Sequence, residues 1–220
     1  MNNKRKRTSV LISGGGTNLQ SLIDACESKD YPAEIVKVIS NREDAFGLER
    51  AKRAGIETEV INHKNFDSRE SFDSALHDAF LKVGTQLVCN AGFMRILTPG
   101  FVEKWRDKML NIHPSLLPSF PGLHTHARAL KEGVRFTGCT VHIVRAELDN
   151  GPIIIQAAVP VALGDTVEAL AARVLKAEHQ IYPQALKWIA SGRAKIENEK
   201  VVFEDDGRAP SSLIWPNLDN

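Results

Sequence analysis

The sequence of 220 residues lacks several features that would place a protein in a class at once. Its formal net charge is only +1, so no broad positive field predicts binding to nucleic acid or to an anionic membrane. No apolar run approaches the roughly 20 residues of a membrane-spanning helix. The basic start, MNNKRKRT, is followed by no apolar stretch long enough for a secretory signal. These absences predict a cytoplasmic protein without membrane or nucleic-acid partners.

Cysteines and metal-ligand clusters are also scarce. The chain has three cysteines without CxxC spacing, which are Cys26, Cys89 and Cys139. An odd, scattered set is typical of a reduced intracellular protein. His124 and His126 form an HxH pair, but no third ligand follows at a metal-binding spacing. The sequence therefore predicts free thiols and no metal site.

Apolar runs and segments of helical periodicity alternate along the chain, which is 43% hydrophobic. In the first half, strands are predicted at residues 9–13, 34–41, 57–61, 85–92 and 108–113, and helices at residues 18–28, 44–55, 69–84 and 99–105. This alternation of strands and helices predicts an α/β fold with a doubly wound, mostly parallel sheet and helices on both faces. Asp67-Ser68-Arg69-Glu70 has the form of a capping box that opens the third helix.

The second half of the chain predicts additional antiparallel strands. Residues 137–147 and 151–161 read as strands, and Asp149-Asn150-Gly151 between them is a hairpin signal. A helix capped by Asp165 and Glu168 runs to about Gly192, and residues 195–203 suggest a terminal hairpin. We predict one domain over residues 1–220, with residues 1–8 a basic flank and residues 206–220 an irregular tail.

A glycine loop, S-G-G-G-T-N at residues 13–18, joins the first strand to the first helix. It is not a Walker A loop, because no Gly-Lys-Ser/Thr follows, and Leu19 stands where G-x-G-x-x-G needs its third glycine. A short loop of this kind suits one terminal phosphate held by backbone N–H groups at a helix N-terminus. The alternative is a tight turn that binds nothing.

Asn111 and His113 end a predicted strand in the stretch NIHPSLLP, and Pro114 stops the strand after them. Residues i and i+2 of a strand point to the same side, so both polar groups address one volume. Asp149 is the candidate for a third member, because a carboxylate stabilises a cationic imidazole and orients it. A structural role at the strand end is the alternative. A hydrolytic triad with Ser115 is disfavoured, since no G-x-S-x-G elbow surrounds that serine.

These motifs resemble the folate-dependent formyltransferase family over residues 9–195. The resemblance rests on NIHPSLLPSFPG (111–122) followed by ELDNGPII (147–154), and it extends through ISGGGTNLQSLIDAC, SNREDAFGLERAKRAGI, FDSRESFD, AGFMRIL, PGLHTH and AEHQIYP. It implies transfer of a formyl group from 10-formyltetrahydrofolate, as co-substrate, to the amino group of glycinamide ribonucleotide in purine biosynthesis. Formyltetrahydrofolate hydrolase and a non-catalytic nucleotide or folate binder are the alternatives, and both a monomer and a homodimer are compatible with the sequence.

The resemblance also implies roles for individual residues. Asn111 donates a hydrogen bond to the formyl oxygen, His113 is the general acid, and Asp149 stabilises its cationic form. The residues implied to bind the ribonucleotide and its phosphate are Gly16, Thr17, Asn18 and Glu178. Those implied to bind the folate are Arg69, Met94, Arg95, Ile96, Leu97, Asn111, Ala146, Glu147, Leu148 and Asp149. The chain departs from the family pattern at Gly15 and at Asn150; if residue 150 has a positive φ, asparagine tolerates it better than most residues.

Overall fold

The computed structural model of the protein describes residues 5–204 and Leu213. Its strands are β1 (Lys6–Ile12), β2 (Ala33–Ser40), β3 (Glu57–Val60), β4 (Leu87–Asn90), β5 (Met109–His113), β6 (Phe136–Ile143), β7 (Ile153–Pro160), β8 (Ala194–Glu197) and β9 (Lys200–Phe203). Its helices are α1 (Thr17–Cys26), α2 (Gly47–Arg53), α3 (Arg69–Lys82), α4 (Pro99–Lys104), α5 (Thr125–Glu132) and α6 (Val167–Ser191). Within these described ranges no helix combines the length and apolarity needed to cross a bilayer.

Seven strands form one sheet in the order β3-β2-β1-β4-β5-β6-β7. The neighbours from β3 to β5 pair in parallel, whereas β6 pairs antiparallel with both β5 and β7. This confirms the predicted doubly wound sheet with antiparallel strands added in the C-terminal half. The chain leaves β1 towards β3 and then returns to β4 on the other side. The carboxyl ends of β1 and β4 therefore meet at a switch point, where open α/β sheets bind their ligands.

Both faces of the sheet are buried, because alternate residues of each central strand enter different apolar clusters. In β1, Val10 and Ile12 belong to the cluster under α1 and α6, whereas Leu11 belongs to the cluster with Phe72 and Phe101 of α3 and α4. A strand covered on both faces has no polar side, which is why the parallel strands appear in the sequence as nearly continuous apolar runs.

Several boundaries differ from the prediction. β1 begins at Lys6, so the described end of the predicted basic flank is strand rather than irregular. The helix α3 is capped by Ser68, whose side chain accepts from Ser71 N, and not by the Asp67–Glu70 pair. Asp67 and Ser68 are both good caps and lie one residue apart, so only the backbone geometry chooses between them.

The C-terminal half contains three further differences. Thr166 caps α6, while Asp165 accepts a 2.7 Å hydrogen bond from Ala162 N. The helix α5 was not predicted, and nine residues (144–152) join β6 to β7 instead of a tight hairpin. The terminal hairpin β8–β9 is confirmed. Apart from Leu213, the predicted irregular tail lies outside the described residues, as do residues 1–4 of the flank.

Candidate active site

Asn111 and His113 lie on the same side of β5, as the strand period requires, and both line a cavity of about 630 Å³ at the switch point. Ile112 between them belongs to the apolar cluster on the opposite face. A volume of this size is typical of small-molecule sites. The structure thus brings the two predicted polar groups together at the end of a rigid central strand.

Asp149 reaches the same place from the loop between β6 and β7. Its Oδ2 is 3.4 Å from His113 Nδ1 and accepts a 2.8 Å hydrogen bond from Gly122 N, and only 7% of the side chain is exposed. Asp149 itself has a positive φ of 54°, whereas Asn150 is not among the described residues with a positive φ. The predicted third member of the constellation therefore meets the other two.

Both ring nitrogens of His113 face oxygen atoms. Nε2 lies 3.0 Å from the carbonyl oxygen of Phe120, which can only accept, so Nε2 carries a hydrogen. Nδ1 faces the Asp149 carboxylate. A neutral imidazole has one N–H and cannot donate to both oxygens. The Asp149 carboxylate therefore faces the ring nitrogen from which a proton can be transferred into the cavity.

His142 is a functional residue that the sequence interpretation missed, because it read as a packed mid-strand histidine. It is paired with Asn111 across β5 and β6, and its Nε2 is 3.1 Å from Asn111 Nδ2. Its Nδ1 lies 3.0 Å from the carbonyl oxygen of Ile143 and so carries the hydrogen. Burial lowers the pKa of His142, which keeps Nε2 as an acceptor. His142 thus orients the Asn111 amide, and only the strand register reveals it.

The loop after β5 excludes the serine-triad alternative. Ser115 is fully buried, and its hydroxyl donates to the carbonyl oxygen of Ser119 at 2.6 Å. Thr140 Oγ1 donates to Ser115 O at 2.7 Å and accepts from Leu117 N. A hydroxyl held inside its own loop cannot attack a substrate. Its role is to shape the segment that carries Phe120.

Residues 92–97 form one wall of the cavity, and residues 94–97 of this segment were predicted to contact a folate. The segment is anchored at both ends. Ser13 Oγ accepts from Met94 N at 2.8 Å and donates to Asn41 Oδ1 at 2.6 Å. At the other end, the buried Asp73 accepts from the backbone and the hydroxyl of Thr98. Ser13 therefore joins this wall directly to the start of the glycine loop.

Not every predicted folate residue lines the cavity. Ala146, Leu148 and Asp149 do, together with the segment above, but Arg69 and Glu147 do not. Arg69 is exposed in the first turn of α3, so its contact with a folate stays a prediction. Other lining residues were not predicted, and among these are Phe93, Leu123, His124, Thr125, His126, His142, Val144 and Arg145. The PGLHTH motif was the available signal for some of them.

His124 and His126 both line the cavity, and the described residues contain no cluster of three or more His, Cys, Asp or Glu that could hold a metal ion. Burial lowers the pKa of His126, and so does the neighbouring charge of His113. Both histidines instead contribute imidazole rings to the cavity wall.

The glycine loop is held by hydrogen bonds from α2 to its carbonyl oxygens. Gly47 N donates to Gly14 O at 3.0 Å, and Arg50 Nε donates to Gly15 O at 2.9 Å. The C=O and N–H of a trans peptide point in opposite directions. Tying down these two carbonyls therefore turns the N–H groups of Gly15 and Gly16 to the other side, as an anion site at a helix N-terminus requires.

Gly16 and Gly47 cross at very short range. Gly16 has a φ of 69°, and a Cβ built on it would lie 2.6 Å from Gly47 Cα. A larger residue at Gly16 would push α2 away from the loop. Any substitution at this position would therefore alter the fold as well as a ligand site.

Asn18 and Glu178 complete the cavity at its other end. Asn18 Nδ2 donates to Glu178 Oε2 at 2.7 Å, which links α1 to α6. Burial raises the pKa of Glu178 above its ordinary value, although the hydrogen bond from Asn18 opposes the shift. Gly16 and Thr17 do not line this cavity; Thr17 lines a shallower one that it shares with Arg50.

The substitution Glu178→Gln should raise the melting temperature at neutral pH. Burial makes the ionised carboxylate costly in the folded state, and a glutamine retains an oxygen for the Asn18 hydrogen bond. Because the folded pKa lies above the unfolded value of 4.5, the cost is complete above the folded pKa and vanishes below 4.5. Calorimetry across this range should show the difference shrinking as the pH falls. A lower melting temperature of the variant at neutral pH would contradict the argument.

Sequence comparison places these elements among known proteins. Residues 6–186 match the model of the family described as Formyl transferase. The phosphoribosylglycinamide formyltransferase of Escherichia coli strain K12 is 49% identical over 201 residues, which cover 91% of this chain and 94% of that protein. The trifunctional purine biosynthetic protein adenosine-3 of Bos taurus is 53% identical over 201 residues. The chain spans only 20% of the length of that relative.

Structural comparison agrees with the sequence matches. The crystal structure of glycinamide ribonucleotide transformylase 1 from Symbiobacterium toebii superimposes with a TM-score of 0.89 at 49% sequence identity. The alignment covers 91% of this chain and 95% of that one. The similarity therefore extends over most of the length of both chains.

Proposed function

The chain belongs to the formyl transferase family, and on that premise we propose that it transfers the formyl group of 10-formyltetrahydrofolate to the amino group of glycinamide ribonucleotide. This is a step of purine biosynthesis, with two small-molecule substrates and a cytoplasmic location. The observation that carries the proposal is the meeting of Asn111, His113 and Asp149 in one cavity at the switch point. The similarity to phosphoribosylglycinamide formyltransferases over nearly their whole length supports it.

The reaction is a direct attack of the ribonucleotide amine on the formyl carbon. A new C–N bond forms, the carbonyl oxygen becomes an oxyanion, and the bond from that carbon to the folate nitrogen then breaks. The amine must lose a proton and the departing nitrogen must gain one. No enzyme nucleophile is required, but an oxyanion donor and a proton carrier are.

The residues of the cavity match these needs. Asn111 has two amide hydrogens; one is directed to His142 Nε2, and the other donates to the developing oxyanion. His113, held between Phe120 O and Asp149, supplies the proton to the leaving nitrogen. The Asp149 carboxylate orients the ring and stabilises the cation from which that proton is transferred. The buried setting strengthens each of these interactions relative to water.

The two substrates enter from opposite ends of the site. The anion-facing N–H groups of the glycine loop hold the phosphate, and Glu178 accepts hydrogen bonds from the sugar or amide. The wall of residues 92–97 and the loop of residues 146–149 hold the folate, whose flat ring suits a surface of backbone edges and apolar side chains. The formyl carbon then lies beside Asn111 and His113.

Arg50→Ala should raise the KM for the ribonucleotide without changing the KM for the folate. The substitution frees Gly15 O, so the peptide that presents Gly16 N–H is no longer held. We expect a weakening of about tenfold, the value of one lost hydrogen bond to a charged group. Steady-state kinetics with each substrate varied in turn will measure it.

Arg53→Ala is the matched control, because Arg50 and Arg53 both lie over the Phe46 ring, but only Arg50 donates to the glycine loop. Equal effects of the two substitutions, or an equal rise in both KM values for Arg50→Ala, would show that the loop is not the phosphate site.

An assay with both substrates, each omitted in turn, tests the function. We expect formylated ribonucleotide and free tetrahydrofolate in equal amounts, and no turnover without the ribonucleotide. Release of formate from the folate alone would identify a formyltetrahydrofolate hydrolase. Binding of both ligands without product would identify a non-catalytic binder.

A further inference from the structure

The β8–β9 hairpin carries a residue that its turn does not favour. Asn198 and Glu199 form the two-residue connection, with φ values of 50° and 58°. Such turns have positive φ at both positions and favour Asn-Gly. Asparagine suits the first position, but a glutamate at the second occupies a backbone region that costs free energy for any residue with a Cβ. A strained residue in a turn indicates that its side chain is needed elsewhere.

The Glu199 side chain lies on Arg145. Arg145 Nε donates to Glu199 Oε2 at 2.7 Å, and Arg145 Nη2 donates to Asp107 Oδ1 at 2.6 Å. Asp107 also has a positive φ, of 62°. Two carboxylates on left-handed residues therefore converge on one guanidinium, whose side chain is only 8% exposed. Arg106 pairs with Glu199 as well, from the exposed side.

Arg145 stands at the beginning of the loop that carries Asp149. It follows Val144, donates to that residue's own carbonyl at 3.2 Å, and lines the cavity. The far end of the loop is closed by Gly151, which packs so tightly that a Cβ there would lie 1.7 Å from Ile143 O. The loop is thus fixed at one end by backbone packing and at the other by Arg145.

We propose that Arg145 is a positioning residue, through which the tip of the β8–β9 hairpin holds the folate-side loop of residues 146–149 in its binding geometry. The proposal rests on the proposed function only for the identity of the ligand. It assigns to the C-terminal hairpin, which lies outside the 6–186 family match, a role in substrate binding. Arg145 acts through the loop and does not itself take part in the chemistry.

The substitution Glu199→Gly separates positioning from stability. Glycine is the preferred residue at this turn position, so the hairpin should be as stable as before or more so. Arg145 nevertheless loses its bidentate partner. We expect the melting temperature to stay equal or rise, while the Kd and KM for 10-formyltetrahydrofolate increase about three- to thirtyfold. The KM for the ribonucleotide should not change.

Two controls and a double variant complete the experiment. Glu204→Gly removes an exposed ion pair between Lys195 of β8 and the residue after β9. Arg106→Ala removes the outer partner of Glu199 together with the ion pair from Arg106 to Glu103. Neither substitution should change folate binding. Arg145→Met should reproduce the effect of Glu199→Gly, and the combined variant should be no worse than Arg145→Met, because the two residues act as one unit.

Titration calorimetry with 10-formyltetrahydrofolate measures the effect without turnover, so it remains decisive if the formyl-transfer assay fails. Unchanged folate affinity in Glu199→Gly would overturn the proposal. Two other results would also overturn it. One is a loss of folate affinity no larger in Glu199→Gly than in Glu204→Gly. The other is a loss of affinity accompanied by a lower melting temperature and an equal rise in the KM for the ribonucleotide. Either result would mean that the hairpin has only a structural role.

Discussion

His113→Ala should lower turnover by about 10²–10⁴-fold, the usual contribution of a positioned general acid. The loss follows because the His113 ring lies with Nε2 3.0 Å from Phe120 O and Nδ1 3.4 Å from the Asp149 carboxylate, a position from which it can pass a proton to the leaving nitrogen. Asn111→Ala should cost about 10²–10³-fold through loss of the oxyanion donor. Because both groups act on one transition state, the double variant should lose much less than the product of the single losses. Single-turnover rates at saturating substrates will measure these effects.

Folding should survive the His113 substitution. Phe120 O loses one donor but keeps the Ser115 hydroxyl, which lies 3.2 Å away. The free energy of unfolding should therefore fall by no more than ~1–3 kcal/mol, the cost of one lost buried hydrogen bond. Calorimetry and ligand binding serve as controls. A fully additive double variant, or a His113→Ala enzyme with near-normal turnover, would remove the histidine from the proposed mechanism.

Asp149→Asn should reduce turnover strongly and leave the binding of both substrates nearly unchanged. An asparagine oxygen can still accept from Gly122 N, so the loop keeps its shape and only the negative charge is lost. Without that charge, His113 Nδ1 loses the carboxylate that orients the ring and stabilises the cation from which the proton is transferred. We expect about 10²-fold or more in kcat, within the range for acid–base catalysis.

The comparison of kcat with ligand binding in Asp149→Asn gives a second readout. A carboxylate that only shaped the turn would lower substrate binding together with kcat, or would leave both unchanged. Full turnover at neutral pH with both ligands bound would reduce Asp149 to a turn residue.

The sequence alone predicted the class of the fold and most of the site's members. Burial on both faces gives parallel strands continuous apolar runs, and the strand period places Asn111 and His113 on one side, so both follow from local rules. At the start of α3, Asp67 and Ser68 are equally good helix N-caps, so the local signal was ambiguous and the predicted cap was wrong. The same holds for Asp165 and Thr166 at the start of α6.

Only the tertiary structure decided which distant groups meet. His142 lies 31 residues from Asn111 in sequence, and its function depends on the register between β5 and β6, which no local pattern specifies. The orientation of the N–H groups of the glycine loop depends on hydrogen bonds from α2. The support of the Asp149 loop depends on a hairpin about 50 residues later. The sequence by itself determined the periodicities that make each element and the chemistry each element carries. Contacts across the sheet determined orientation, protonation and support, because they arise from packing between segments that share no local periodicity.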